Sequence, residues 1–299
     1  MAKIVECVPN FSEGRRQEVI EAIAEAIKGV EGVRLLAYES DKDHNRSVFT
    51  FIGGPEGVKK AAFSAIAKAA ELIDLNQHTG EHPRIGATDV VPFIPISEVT
   101  MDDCTDLARK LGKEVAEQLK VPVYLYEYAA TRPERQNLAN IRKGQYEGLK
   151  EAVKTDPERK PDFGPAELHP TAGATVIGAR MPLIAYNVNL DSNDLSIAKA
   201  IAKKVRFSSG GLKYVKALGL EIKERGIVQV SMNLTNYLET PVYKVYDVIK
   251  EEAKGHGVEI LGSEVIGLIP NDALVDTADH YLKIEDFDRS QILENRLRE

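Results

Sequence analysis

From Leu183 onward the sequence begins again, and a chain that repeats its own order of elements is confined to a paired architecture. Leu183 to Leu190 reads as a strand ending in Asn187 and Asn189, followed by a helical pattern through Ile197, Ile201 and Val205. The first half opens in the same way, with a strand before Asn10 and then Val19, Ile20, Ile23, Ala24 and Ile27 at helical spacing. Ile227 to Met232 matches Val48 to Ile52, a helix starting at Pro241 matches one at Pro55, and Ile260 to Pro270 echoes Ile85 to Pro95. Each half approximates βαββαβ, which folds into a sheet with helices on one side. The bare faces of two such sheets are buried when they face each other. The expected fold is therefore α/β (α+β), with two ferredoxin-like βαββαβ-type subdomains over 1–180 and 181–299. Their sheets face each other, the helices lie outside, and a ligand tunnel runs between them, because binding sites favour such junctions.

Charge and composition exclude several classes of function. The net charge of -7 argues against general nucleic-acid binding, which needs a basic face to displace phosphate counterions. No apolar run reaches membrane-spanning length and the start reads as a strand rather than a signal peptide, so the expected location is cytoplasmic. Cys7 and Cys104 are too few for a disulfide framework and lack ligand spacing, so both read as reduced and buried. Ser12 reads as the cap of the first helix, and Thr100 with Asp103 as a capping box. The tail from Asp286 to Glu299 reads as a solvated helix.

The chemistry concentrates between His78 and Asp89, where a proton carrier, carboxylates, a guanidinium and two glycines precede the apolar run Val90 to Ile94. His82, between Glu81 and Arg84, has what acid/base work near neutrality requires, because imidazole titrates there and neighbouring charges tune it. A zinc site built on His78, His82 and Asp89 is disfavoured, since Gly80 and Pro83 break the helix that would align the histidines; no metal is expected. Arg132, Arg135, Arg142 and Lys143 form a basic group, read either as a surface face or as an anion site.

Several segments carry a family resemblance: VECVPNFSEG (Val5 to Gly14), Asn45 with Arg46, GEHPRIGATDVVPFIP (Gly80 to Pro95), VPVYLY (Val121 to Tyr126), PDFGP (Pro161 to Pro165), GATVIGAR (Gly173 to Arg180) and Leu183 to Leu190. Together they resemble the glutamate formiminotransferase family along nearly the whole chain, without the cyclodeaminase domain that some members add. The resemblance implies transfer of a formimino group from N-formimino-L-glutamate to N5 of the co-substrate tetrahydrofolate, releasing glutamate, in a homodimeric enzyme. It places the catalytic histidine at His82. The folate-binding segment falls on Gly164, Pro165, Ala166, Glu167, Leu168, His169, Pro170, Thr171, Ala172 and Gly173, with Ala172 where mammalian relatives carry tryptophan.

Both substrates carry carboxylates, so Arg46, Arg84, Arg132, Arg135 and Arg180 are candidate partners. Asn10 and Glu39 are further substrate-binding candidates, and Glu39 or Glu81 is expected to orient His82. Donors such as N-formylglutamate or 5-formyltetrahydrofolate, or a non-catalytic folate-binding protein, are the competing readings.

Overall fold

The computed structural model describes residues 2–296. Two compact units divide the chain, Met1–Arg180 and Met181–Glu299.

The first unit is built on one seven-stranded sheet. Its strands are β1 (Ile4–Cys7), β2 (Asn10–Phe11), β3 (Val33–Asp41), β4 (Arg46–Gly53), β5 (Thr88–Ser97), β6 (Val123–Glu127) and β7 (Thr175–Ala179). β1 and β2 lie between β4 and β5, all antiparallel, with β3 outside β4. That is the βαββαβ order read from the sequence. β7 and then β6 extend the sheet in parallel beyond β5.

Alternation decides the two faces of this sheet. Val5, Cys7, Phe49, Phe51, Val91, Phe93, Leu125 and Ile177 point into one core with α1 (Gln17–Lys28), α2 (Pro55–Leu72) and α3 (Met101–Gln118). On the opposite face, Val90, Tyr124, Tyr126 and Val176 pack with Ile141, Leu149 and Val153. These last three come from α4 (Leu138–Ile141) and α5 (Gln145–Thr155), a short insertion between β6 and β7. The helices are therefore not all on one side: the insertion covers part of the face that the βαββαβ pattern leaves bare.

Local capping partly follows the sequence. Thr100 and Asp103 form the expected reciprocal box at the start of α3. α1 does not begin at Ser12. Its N-cap position is Arg16, and Glu13 Oε1 accepts hydrogen bonds from the Arg15 and Arg16 amides, both at 2.9 Å. The entry loop is longer than a single cap residue requires, which frees the buried Ser12 hydroxyl to donate to the Gly86 carbonyl at 2.7 Å.

The second unit repeats the pattern in its shortest form. β8 (Ile184–Leu190), α6 (Leu195–Val205), β9 (Val215–Ile222), β10 (Ile227–Leu234), α7 (Val242–Gly255) and β11 (Ile260–Ile266) give an antiparallel sheet ordered β11-β8-β10-β9. Tyr186, Val188, Val230 and Met232 face α6 and α7 in its core, joined by Ala273 of α8 (Asn271–Leu282). The expected tail helix is reduced to a turn at Arg289–Gln291 and α9 (Leu293–Arg296), and residues 297–299 lie outside the described residues. Among the described residues no helix is long and apolar enough to cross a membrane.

Glycines permit the closest backbone approach in the first unit. A Cβ on Gly86 would sit 1.8 Å from the Ala174 carbonyl oxygen, and Gly173, at φ +70°, would meet the Ile85 carbonyl oxygen at 2.3 Å. Gly86→Ala is expected to destabilise the protein by about 2–4 kcal/mol, because backbone on both sides must move. Urea unfolding checks this, and a loss below about 0.5 kcal/mol would show that the contact gives way freely.

Candidate active site

The segment from His78 to Asp89 is held from three directions. Asn45, at φ 49°, accepts from the Gly14 amide through Oδ1 and donates to the Thr79 carbonyl through Nδ2, both at 2.9 Å. The Ala87 carbonyl accepts from the Ser12 amide at 2.8 Å. From the third side, the Ala87 amide donates to the Ala172 carbonyl at 2.9 Å and the Ala174 amide to the Ile85 carbonyl at 3.0 Å. The second half of the 164–173 segment therefore packs directly on the histidine loop.

Within that segment, His169 Nδ1 accepts from the Ala172 amide at 3.0 Å and closes a tight turn. Ala172 is buried in the core, whereas Gly164, Pro165, Ala166 and Glu167 are exposed. Burial pushes the His169 imidazole below its ordinary value.

His82 is the buried reactive group of this loop, with 8% of its surface exposed. Burial is the largest cause pushing its pKa down to about 3, followed by the positive fields of Arg142 and Arg46, then His44 and His78. It is a neutral imidazole at physiological pH, and a weak base until something offsets those positive fields. Neither Glu39 nor Glu81 figures among the groups that act on it most strongly. Glu81 is exposed and Glu39 lies on the strand β3.

Two guanidiniums define the charge beside His82. Arg142 pairs through Nη2 with Asp89 Oδ2, and the other carboxylate oxygen accepts from the Ile85 amide at 2.9 Å. Asp89 is buried, with 1% exposure, so the pair is sheltered. Arg46 is lowered by burial first and by the Arg142 charge second, which places the two arginines within each other's field. Both retain a buried Nε–H with no partner among the described residues. Leaving such donors unpaired costs about 1–3 kcal/mol each, and an anion accepting from them recovers that cost.

Other arginines singled out in the sequence serve the fold. Arg84 is buried and forks onto Glu147, with Nη2 to Oε1 at 2.7 Å and Nη1 to Oε2 at 3.0 Å, while Nε donates to His78 Nδ1 at 3.1 Å. His78 Nε2 in turn donates to the Asn45 carbonyl at 2.9 Å, so both its ring nitrogens are taken by protein. Arg135 is buried against Asp162 at 2.5 Å and donates to the Glu158 and Lys160 carbonyls, clamping the proline-rich connector. Among the described residues, Arg132 reaches only the Pro157 carbonyl, at 3.5 Å.

Asn10 lies on the strand β2 with its Cα opposite Val48 and Val90. Arg180, just past β7, donates its amide to the Phe93 carbonyl at 3.1 Å, engages the Tyr126 side chain and offsets the burial that raises Glu6. Arg142 is the residue that sequence reasoning left among a basic group. The signal that separates it is its pairing with an aspartate 53 positions earlier, which spacing does not reveal. Cys7 and Cys104 are buried free thiols, Cys104 pushed up to about 12 by burial, and neither is a nucleophile here.

Residues 4–180 match the family described as "Formiminotransferase domain, N-terminal subdomain", and 185–297 match "Formiminotransferase domain". This chain belongs to the formiminotransferase family. A glutamate formimidoyltransferase from Streptococcus pyogenes serotype M1 is 51% identical over 298 residues, covering 99% of both chains. One from Thermoplasma acidophilum is 50% identical, covering 98% of this chain and 97% of that protein. The formimidoyltransferase-cyclodeaminase of Rattus norvegicus is 44% identical over 99% of this formiminotransferase chain, which spans 57% of that longer protein.

The depressed His82 fixes a pH dependence of stability. Its folded pKa lies near 3 and its ordinary value at 6.5, so over that window the unfolded chain takes up a proton that the folded chain refuses. The stabilising share is fully present above pH 6.5 and declines as pH falls toward 3, by up to about 1.4 kcal/mol per unit. His82→Gln should flatten this decline in urea unfolding at pH 7, 6 and 5. Parallel slopes for the two proteins would contradict a neutral, buried His82.

Proposed function

We propose that this chain is a glutamate formimidoyltransferase that moves the formimino group of N-formimino-L-glutamate to N5 of tetrahydrofolate. One observation carries the site assignment: a neutral, buried imidazole stands beside two arginines that each keep a buried, unpartnered Nε–H. The full-length likeness to proteins named for this activity supports the choice of substrates.

In this reading a carboxylate of formiminoglutamate is received by Arg46 and Arg142. N5 of tetrahydrofolate attacks the formimino carbon and a new C–N bond forms. His82 accepts the N5 proton. The bond from that carbon to the glutamate nitrogen then breaks, and the departing nitrogen takes the proton from His82, so one imidazole serves both steps. The products are 5-formiminotetrahydrofolate and glutamate.

Substrate binding prepares the base. An anion on Arg46 and Arg142 cancels part of the positive field on His82 and lifts its pKa toward the range where a base works well. Burial remains the larger depressing cause, so a hydrogen bond from the incoming N5–H is the second requirement. The 164–173 segment, packed against this loop, contacts the folate, and the enzyme works as a homodimer.

Steady-state glutamate release tests the proposal. His82→Ala should lower kcat by roughly two orders of magnitude or more while folate binding is kept. Arg46→Lys keeps the charge but loses the Nε–H, and should raise KM for formiminoglutamate about tenfold, equivalent to about 1.4 kcal/mol. Wild-type protein that binds tetrahydrofolate but releases no glutamate would sink the assignment.

A further inference from the structure

Three segments of the first unit meet at one exposed side chain outside the His82 site. Asn76 lies in the connection between α2 and β5. Its Nδ2 donates to the Pro170 carbonyl at 2.8 Å and to Asp74 Oδ1 at 2.7 Å. Its Oδ1 accepts from Tyr146 Oη at 3.0 Å and from Lys150 Nζ at 2.8 Å, both on α5. A carboxamide has two donor hydrogens and two acceptor sites, so this side chain is fully spent on joining the three segments.

The grip falls on one part of the 164–173 segment. Three successive carbonyls there, of Pro170, Thr171 and Ala172, accept from Asn76 Nδ2, the Leu75 amide and the Ala87 amide, the last two at 2.8 and 2.9 Å. Two of those donors belong to the Asn76 connection and one to the histidine loop. Gly164, Pro165, Ala166 and Glu167 are exposed. The conformation of 170–172 is therefore set by what fastens it.

Tyr146 carries the same junction to the histidine loop. It is buried, at 2% exposure. Its hydroxyl holds Asn76, its amide donates to the Arg84 carbonyl at 2.9 Å, and its ring lies close to Gly173, where a Cβ would meet Cδ2 at 3.2 Å. On either side of it, Gln145 and Glu147 accept from Arg84 Nη1, both at 3.0 Å. The start of α5 thus grips Arg84, two positions from His82, and fixes Asn76 from the same residue.

We propose that Asn76 is a positioning residue, which holds residues 170–172 in register with the His82 loop through Tyr146 and so keeps the segment in the shape that receives the co-substrate. The inference rests on the formimidoyltransferase reading for the role of the segment and adds the side chain that shapes it. His82 itself is held without Asn76, by the Arg84 fork on Glu147 and the Ala87–Ala172 bond. Loss of Asn76 therefore acts on co-substrate affinity and leaves the chemical step.

Calorimetric titration with tetrahydrofolate under reducing conditions, together with steady-state glutamate release, tests this in Asn76→Ala, Tyr146→Phe and the double variant. Asn76→Ala should weaken tetrahydrofolate binding about fivefold, the share of one neutral hydrogen bond, and leave kcat and the KM for formiminoglutamate within about twofold. Tyr146→Phe keeps the ring and should weaken binding about twofold, while the double variant should match Asn76→Ala, because both changes remove one shared contact. Unchanged tetrahydrofolate affinity in Asn76→Ala, a fall in kcat matching the loss of affinity, or effects that add in the double variant overturn the inference. Wild-type protein that binds tetrahydrofolate and releases no glutamate overturns the enzyme assignment, and the affinity ratios still decide the role of Asn76. Wild-type protein that binds no tetrahydrofolate overturns both.

Discussion

The ion pair between Arg142 and Asp89 is the interaction on which the site depends. Asp89 is the second residue of the buried strand β5 and, through its second oxygen, holds the Ile85 amide, so the reactive loop and the strand share one carboxylate. Arg142 follows α4 in the insertion between β6 and β7, and its pairing draws that insertion onto the loop. Removing either partner leaves a sheltered charge uncompensated, which costs about 3–5 kcal/mol. The same pair brings the positive field that, with burial, keeps His82 neutral. Architecture and electrostatics thus meet in one contact.

Arginine use in the first unit divides along the same line. Arg84 spends all its donors on Glu147, Gln145 and His78, and Arg135 spends three on Asp162 and the Glu158 and Lys160 carbonyls, so both hold loops in place. Arg46 and Arg142 keep a buried donor unpaired and are the ones poised for an external anion. A guanidinium has five donors, and counting how many are spent separates a structural arginine from a binding one more sharply than exposure does.

Much of this was legible in the sequence. The repeated order of strands and helices announced two βαββαβ units, because hydrophobic periodicity and proline starts are local properties. The His82 loop stood out for its density of chemistry. Legibility failed where a long-range contact decides. Ser12 looked like a helix cap but donates across 74 positions to Gly86, and Glu13 takes its place. Arg142 looked like one of several surface charges until Asp89 claimed it. The expectation that a glutamate tunes His82 followed from adjacency along the chain, whereas the strongest neighbours in space are Arg142 and Arg46. In the second unit, Asn187 and Asn189 read simply as the end of a strand; their hydrogen bonds with Glu264 and Gln229 emerge only when strand register is known.

The central claim is that His82 is a neutral imidazole held by burial beside two guanidiniums. Its ring nitrogens, labelled with 15N and followed by NMR from pH 8 to pH 4.5 in the unliganded protein, test this directly. The account predicts the shifts of a neutral imidazole with no titration across that range, consistent with a pKa near 3. A His82 signal that titrates near pH 6.5 would show an ordinary solvated histidine and contradict the account.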